Sequence, residues 1–176
     1  LDPDHEWAPA LRAVWAWMQA HRPRFSREEI EDCSEFMHGC GQMLVRLLVE
    51  GDADLLAAGQ AMADAEAALN EESLVRVVEA GDRLVAVREA GQFTNHLYRL
   101  LDGRVAAAVV ARNTEMSSVT VSLADPIEGV VCREVVQHLW GPDAGGHAGI
   151  AGSPRGQEMT SDDLTACVEA MVEAIG

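Results

Sequence analysis

No apolar run in the chain reaches the roughly 18 residues that a bilayer-spanning helix needs, so no membrane segment is expected. The start, Leu1-Asp-Pro-Asp-His-Glu6, is acidic and carries no secretory leader pattern. It also lacks an initiator Met, which leads us to expect a fragment or processed product of a longer protein. Cations are scarce: 13 Lys and Arg stand against 29 Asp and Glu, for a net charge of −16. Non-specific binding to long nucleic acid needs many cation–phosphate contacts and is excluded on that ground, whereas a small local phosphate pocket is not. Cysteines are few and dispersed, at Cys33, Cys40, Cys132 and Cys167. That excludes a dense disulfide framework and points to reduced thiols in a cytoplasmic protein. There is no internal repeat and no low-complexity segment.

What is present suffices for a core, with 48% hydrophobic residues over 176 positions. Trp7, Leu11, Val14, Trp15 and Met18 recur at spacings of three and four, which predicts a helix over 7–21, stopped by Pro23. Three tryptophans in that stretch, Trp7, Trp15 and Trp17, fit either an interface or ordinary core packing. Ser26 with Glu29 forms a capping box that opens a helix through about Val49. Gly51-Asp52 ends it, and Asp52 or Asp54 caps an alanine-rich helix over 54–69.

The pattern then changes. Branched runs at 74–79 and 84–89 flank Gly81-Asp82 and predict a β-hairpin, with helix still open for the first arm. A short helix is expected over Phe93–Leu101, and strands at 105–112 and 119–123. A helix at 130–140 precedes a glycine-rich loop, in which 148–152 reads as a short strand. Thr160-Ser-Asp-Asp163 caps a last helix to 175. The fold class is therefore α+β: a helical N-terminal segment over 1–70, then a small mixed β-sheet domain with flanking helices over 71–176.

The loop is the densest chemical signal. Five of fifteen glycines fall between Gly145 and Gly156, and His147 follows a Gly-Gly pair. Glycines let backbone approach a ligand, and consecutive free N–H groups can hold an anion. A histidine beside them can donate to phosphate or move a proton. The alternative is a surface turn.

In this order of elements, Gly145-Gly-His147 followed by Ile150-Ala-Gly152 resembles the associated C-terminal domain of the DHH phosphoesterase superfamily, whose members include RecJ-like exonucleases and oligoribonucleases. The resemblance spans roughly residues 74–176. It implies a parent enzyme in which an upstream catalytic domain, with an Asp-His-His motif, binds Mn²⁺ or Mg²⁺. This part would then supply substrate contacts to a phosphate-bearing small molecule or short oligonucleotide. No Asp-His-His occurs here, so no catalytic residue, metal ligand or cofactor is expected in this chain. Substrate contacts are expected from Gly145, Gly146, His147, Arg155 and Arg112. The family's Ser-Leu-Arg-Ser pattern reads Ser122-Leu-Ala-Asp125 here, and Ala124 cannot bind phosphate while Asp125 repels it. Either Arg112 or Arg155 takes over, or the ligand differs. The readings are thus a phosphate-recognition domain of a phosphoesterase or a non-catalytic interaction module, with a homodimer also open.

Other clusters are weaker. Cys33, His38 and Cys40 lack the spacing and fourth ligand of a zinc site, and helical packing explains the cysteines better. His21, His96 and His138 each stand alone. Ser153 follows Gly152 without a nucleophile elbow or an assignable base.

Overall fold

The structure, a computed structural model, describes residues 8–21 and 34–176. Its helices and strands form an α+β protein in two compact units, one ending at Ala68 and the other Leu69–Gly176.

The first unit is helical. Helix α1 is Ala8–His21 and α2 is Ser34–Val45, which passes into a π-helical turn, Arg46–Glu50. The Ser26–Glu29 capping box, Trp7 and Cys33 lie outside the described residues. Asp52 resolves the choice of cap for α3, Ala53–Ser73: its carboxylate accepts from the Leu55 N–H at 3.0 Å and pairs with Arg46. That backbone bond, opposed by desolvation and helped by Arg46, holds the Asp52 carboxyl below the usual aspartate range. Among the described residues the unit's buried apolar side chains are Ala8, Ala13, Met43 and Leu47. Trp15 is 53% exposed and Val49 78%.

The second unit is built on a six-stranded mixed sheet in the order β1-β2-β3-β4-β6-β5. Strands β1, Leu74–Ala80, and β2, Arg83–Ala90, form the hairpin, with Gly81 at φ 62° in its turn. A side chain is disfavoured at that angle, which is why glycine occupies it. Strand β2 runs parallel to β3, Ala108–Asn113, and β3 pairs antiparallel with β4, Ser118–Leu123. Helix α4, Cys132–Trp140, then leads to β5, Gly145–Gly146, and β6, Ile150–Gly152. Helix α5, Ser161–Ile175, closes the chain on the capping box of Thr160 and Asp163.

One expected element is absent. Residues 93–101 form turns and an isolated bridge, Arg99 to Val105, instead of a helix. A helix would spend the carbonyls of this segment on its own N–H groups. Here the Leu97 and Arg99 carbonyls accept from the Arg88 guanidinium at 2.9 and 3.4 Å, and the Tyr98 carbonyl accepts from the Ala106 N–H at 2.8 Å. The parallel β2–β3 crossover is therefore made by an irregular segment in the place a helix commonly takes.

Alternation along the strands sends successive residues to opposite faces. Val85, Val87, Val110 and Val121 pack with Cys132, Val136 and Met171 beneath α4 and α5. Ala86, Val109 and Ala111 face the crossover with Leu100 and Ala106.

Candidate functional site

The glycine loop is a hairpin at the sheet edge. Gly145 pairs with Gly152 and Gly146 with Ala151. The His147 N–H donates to the Ile150 carbonyl at 2.6 Å. Hydrogen-bonded and non-bonded pairs alternate in an antiparallel ladder, so Gly146 falls in the non-bonded pair and its N–H turns away from β6. Of the amides in the Gly-Gly-His stretch, that of His147 is thus spent inside the hairpin.

The hairpin is held on both sides. The Ala148 carbonyl accepts from the Cys132 N–H and the Gly149 carbonyl from the Leu123 N–H, each at 2.8 Å. The Gln137 side-chain amide donates to the Ala144 carbonyl at 3.1 Å. Gly146 has φ +149°, and a Cβ placed there would lie 2.4 Å from the Ile150 oxygen and 2.5 Å from the Ala151 Cα. Its lack of a side chain is required by its own hairpin. Nothing approaches a Cβ at Gly145 within 4 Å.

Asp143, Gly145, Gly146, Ser153, Pro154, Arg155, Gly156 and Gln157 line an open depression of about 710 Å³. Small-molecule sites run at roughly 300–1,000 Å³, so it could take a ligand of nucleotide size. Arg155 and Asp143 are both exposed, and among the described residues neither forms an ion pair. The structure thus brings Gly145, Gly146 and Arg155 together.

The other two expected contacts stand elsewhere. His147 is exposed but is not among the lining residues. Arg112 is occupied: its Nε donates to the Met159 carbonyl at 2.9 Å and its guanidinium pairs with Glu89. Ser153 uses its Oγ to accept from the Val119 N–H at 3.2 Å, and its own N–H meets the Val119 carbonyl at 2.9 Å. That fixes the strand end and poises no nucleophile. Asp143 and Gln157 also line the depression and were not among the expected contacts, although Asp143 opens the glycine stretch.

No group of three His, Cys, Asp or Glu suited to a metal occurs among the described residues, so the donor set does not fit the Mn²⁺ or Mg²⁺ that the family resemblance implies for its parent enzymes. His38 is exposed and bonds Gln42 at 3.0 Å. Cys132 and Cys167 are buried, and desolvation pushes their thiols up to about 11 and about 12, with Cys132 adding to the shift of Cys167. Both are protonated at neutral pH and serve as core.

No family model matches the chain, and no curated protein matches it significantly. Among solved structures it is similar to an exopolyphosphatase-related protein from Bacteroides fragilis, at 11% identity over 80% of this chain and 43% of that one, with a TM-score of 0.39. It is also similar to an uncharacterized protein from Helicobacter pylori G27, at 13% identity over 78% of this chain and 40% of the other, with a TM-score of 0.34. The chain therefore spans about two fifths of the length of these structures. Likeness at this level fixes neither fold nor function.

Proposed function

We propose that the Leu69–Gly176 unit is a phosphate- or nucleotide-recognition domain of a metal-dependent phosphoesterase of the DHH type. The observation that carries the reading is that Gly145, Gly146 and the uncommitted Arg155 line one depression. A guanidinium and a backbone amide are charge-assisted and neutral donors suited to phosphate oxygens. His147 contacts only ligand atoms that extend past the depression. Hydrolysis belongs to a catalytic domain upstream that would hold Mn²⁺ or Mg²⁺, with the chain acting on its substrate in the cytoplasm. Short oligonucleotides, nucleoside bisphosphates, cyclic dinucleotides and polyphosphate are the candidate substrates.

The test is calorimetric titration of the full chain with adenosine monophosphate, beside thermal melts. Arg155→Ala is expected to weaken binding by about 1.5–3 kcal/mol, the range for a hydrogen bond to a charged group. It should leave Tm unchanged, because the side chain is exposed and unpaired. Binding that is undiminished in the variant, or absent in the parent, would instead favour the second reading, an interaction or oligomerisation module that has lost phosphate binding. Ala124, Asp125 and the engagement of Arg112 by Glu89 support that second reading.

A further inference from the structure

We infer that the depression reads a sugar beside the phosphate, so that its ligand is a ribonucleotide with free 2′- and 3′-hydroxyls, and that Asp143 is the residue that accepts from them. This rests on the phosphate-site reading above. The polar side chains that line the depression are the Arg155 guanidinium, the Asp143 carboxylate, the Gln157 carboxamide and the Ser153 hydroxyl, which already accepts from the Val119 N–H. A chain of phosphates needs several cations and finds one. It also meets the Asp143 carboxylate and a protein of net charge −16, both repulsive.

Asp143 changes sign in value once the ligand carries hydroxyls. An ionised carboxylate is an acceptor only, with two oxygens and about four lone-pair sites. A vicinal diol offers two O–H donors with matching spacing, and acidic side chains hold ribose hydroxyls in this way in dinucleotide-binding folds. Asp143 has no ion-pair partner among the described residues, so its acceptor capacity is open. Arg155 and Asp143 in one depression thus match a phosphate and a diol on the same molecule. They match bare polyphosphate poorly.

The experiment titrates the full chain with adenosine monophosphate, its 2′-deoxy analogue and tripolyphosphate, for the parent and for Asp143→Asn. The parent should prefer the ribonucleotide over the deoxy form by about tenfold, the effect of one hydrogen bond to a charged group. Tripolyphosphate should bind weakest. Asp143→Asn keeps one neutral acceptor oxygen, so it should weaken the ribose preference and strengthen tripolyphosphate binding, with an unchanged melt. Equal binding of ribo and deoxy forms by the parent, or a preference undiminished by Asp143→Asn, overturns the sugar assignment and leaves the phosphate reading standing. Failure of all three ligands to bind the parent overturns both.

Discussion

The two faces of the sheet are built by opposite means. On one, α4 and α5 cover the strands, and the buried residues there are apolar throughout, from Val85 and Val121 to Met171. On the other, the irregular crossover covers them, and the buried polar side chains gather: Ser73, Arg88, Thr94 and Ser122. A helix satisfies its own interior N–H and C=O groups, so the face under it can be wholly apolar. An irregular cover brings carbonyls with no partner, and the sheet must send donors to meet them. Arg88 does this. It is fully buried, and its guanidinium donates to the Leu97, Asn70 and Arg99 carbonyls, to Asn70 Oδ1 and to Ser73 Oγ, all neutral acceptors. Ser122 donates to the Asn95 carbonyl, and the Tyr98 hydroxyl to the Leu123 carbonyl at 3.0 Å. The Thr94 hydroxyl is buried with no partner, a residual cost of this kind of cover.

The largest expected effect breaks the polar face. Arg88→Met removes five donors and takes them from the Asn70 and Leu97 carbonyls and the Ser73 hydroxyl, while the Arg99 carbonyl keeps the Asn70 side-chain amide at 3.0 Å. Each acceptor left without its donor costs about 1–3 kcal/mol, so the set together should cost about 3–5 kcal/mol. Met171→Ala on the helix face should cost about 2–5 kcal/mol through the cavity it leaves. The two losses overlap in size, so amide exchange separates them. Arg88→Met should deprotect Leu97, Leu100 and Ala106 ahead of the core strands, and Met171→Ala should not. Uniform loss of protection in both variants would dissolve the distinction between the faces.

The same contrast decides what was legible in the sequence. The apolar face announced itself through the period of two in 119–123 and the helical spacing of Leu164, Cys167, Val168 and Met171. The hairpin was legible from Gly81-Asp82, and the α5 start from Thr160 and Asp163. Residues 93–101 also have helical spacing in Phe93, Leu97 and Leu100, and there the period misled. What overrode it was Arg88, a cation of β2 whose side chain is fully buried. Its partners are carbonyls, which no side-chain pattern encodes. Arg112 was misplaced for a related reason, since Glu89 and the Met159 carbonyl are distant in sequence. In the site, the glycines and Arg155 were legible as a cluster. The hairpin that spends the His147 amide was not, because it depends on register.

The glycine hairpin is held against α4 by the Cys132 N–H and the Gln137 side chain, and what Gly146 adds to it is backbone space. Gly146→Ala should therefore cost about 1–3 kcal/mol, from its positive φ and the overlap with Ile150 and Ala151. Gly145→Ala, with nothing near its Cβ, should leave Tm almost unchanged. Equal melts for the two variants would remove the close approach as the reason for glycine at 146.

The smallest effect sharpens the contrast through pH. Arg88 remains charged across the accessible range, so the polar face has no acid-sensitive member at its centre. The helix face does, because the capping box that opens α5 uses Asp163, the third residue of the helix. Its carboxylate accepts from the Thr160 N–H at 2.8 Å and the Thr160 hydroxyl at 2.7 Å. The backbone bond is the largest cause, and with the Thr160 hydroxyl, the Trp140 indole and the Arg112 charge it holds the Asp163 carboxyl below its usual 3.8 against desolvation. A carboxyl with a depressed folded pKa contributes its stability above the unfolded value, and loses it as pH falls through the folded one. Asp163→Ala should therefore cost about 1 kcal/mol at neutral pH, the typical value of a helix cap. That difference from the parent should shrink once the pH drops below about 4 and be lost as the pH falls through the depressed folded value. Urea melts of both proteins over this range measure it, and amides of the first turn of α5 should lose protection in acid before those of the Arg88 crossover. A difference that stays constant into strong acid would show that Asp163 acts through packing and not through its charge.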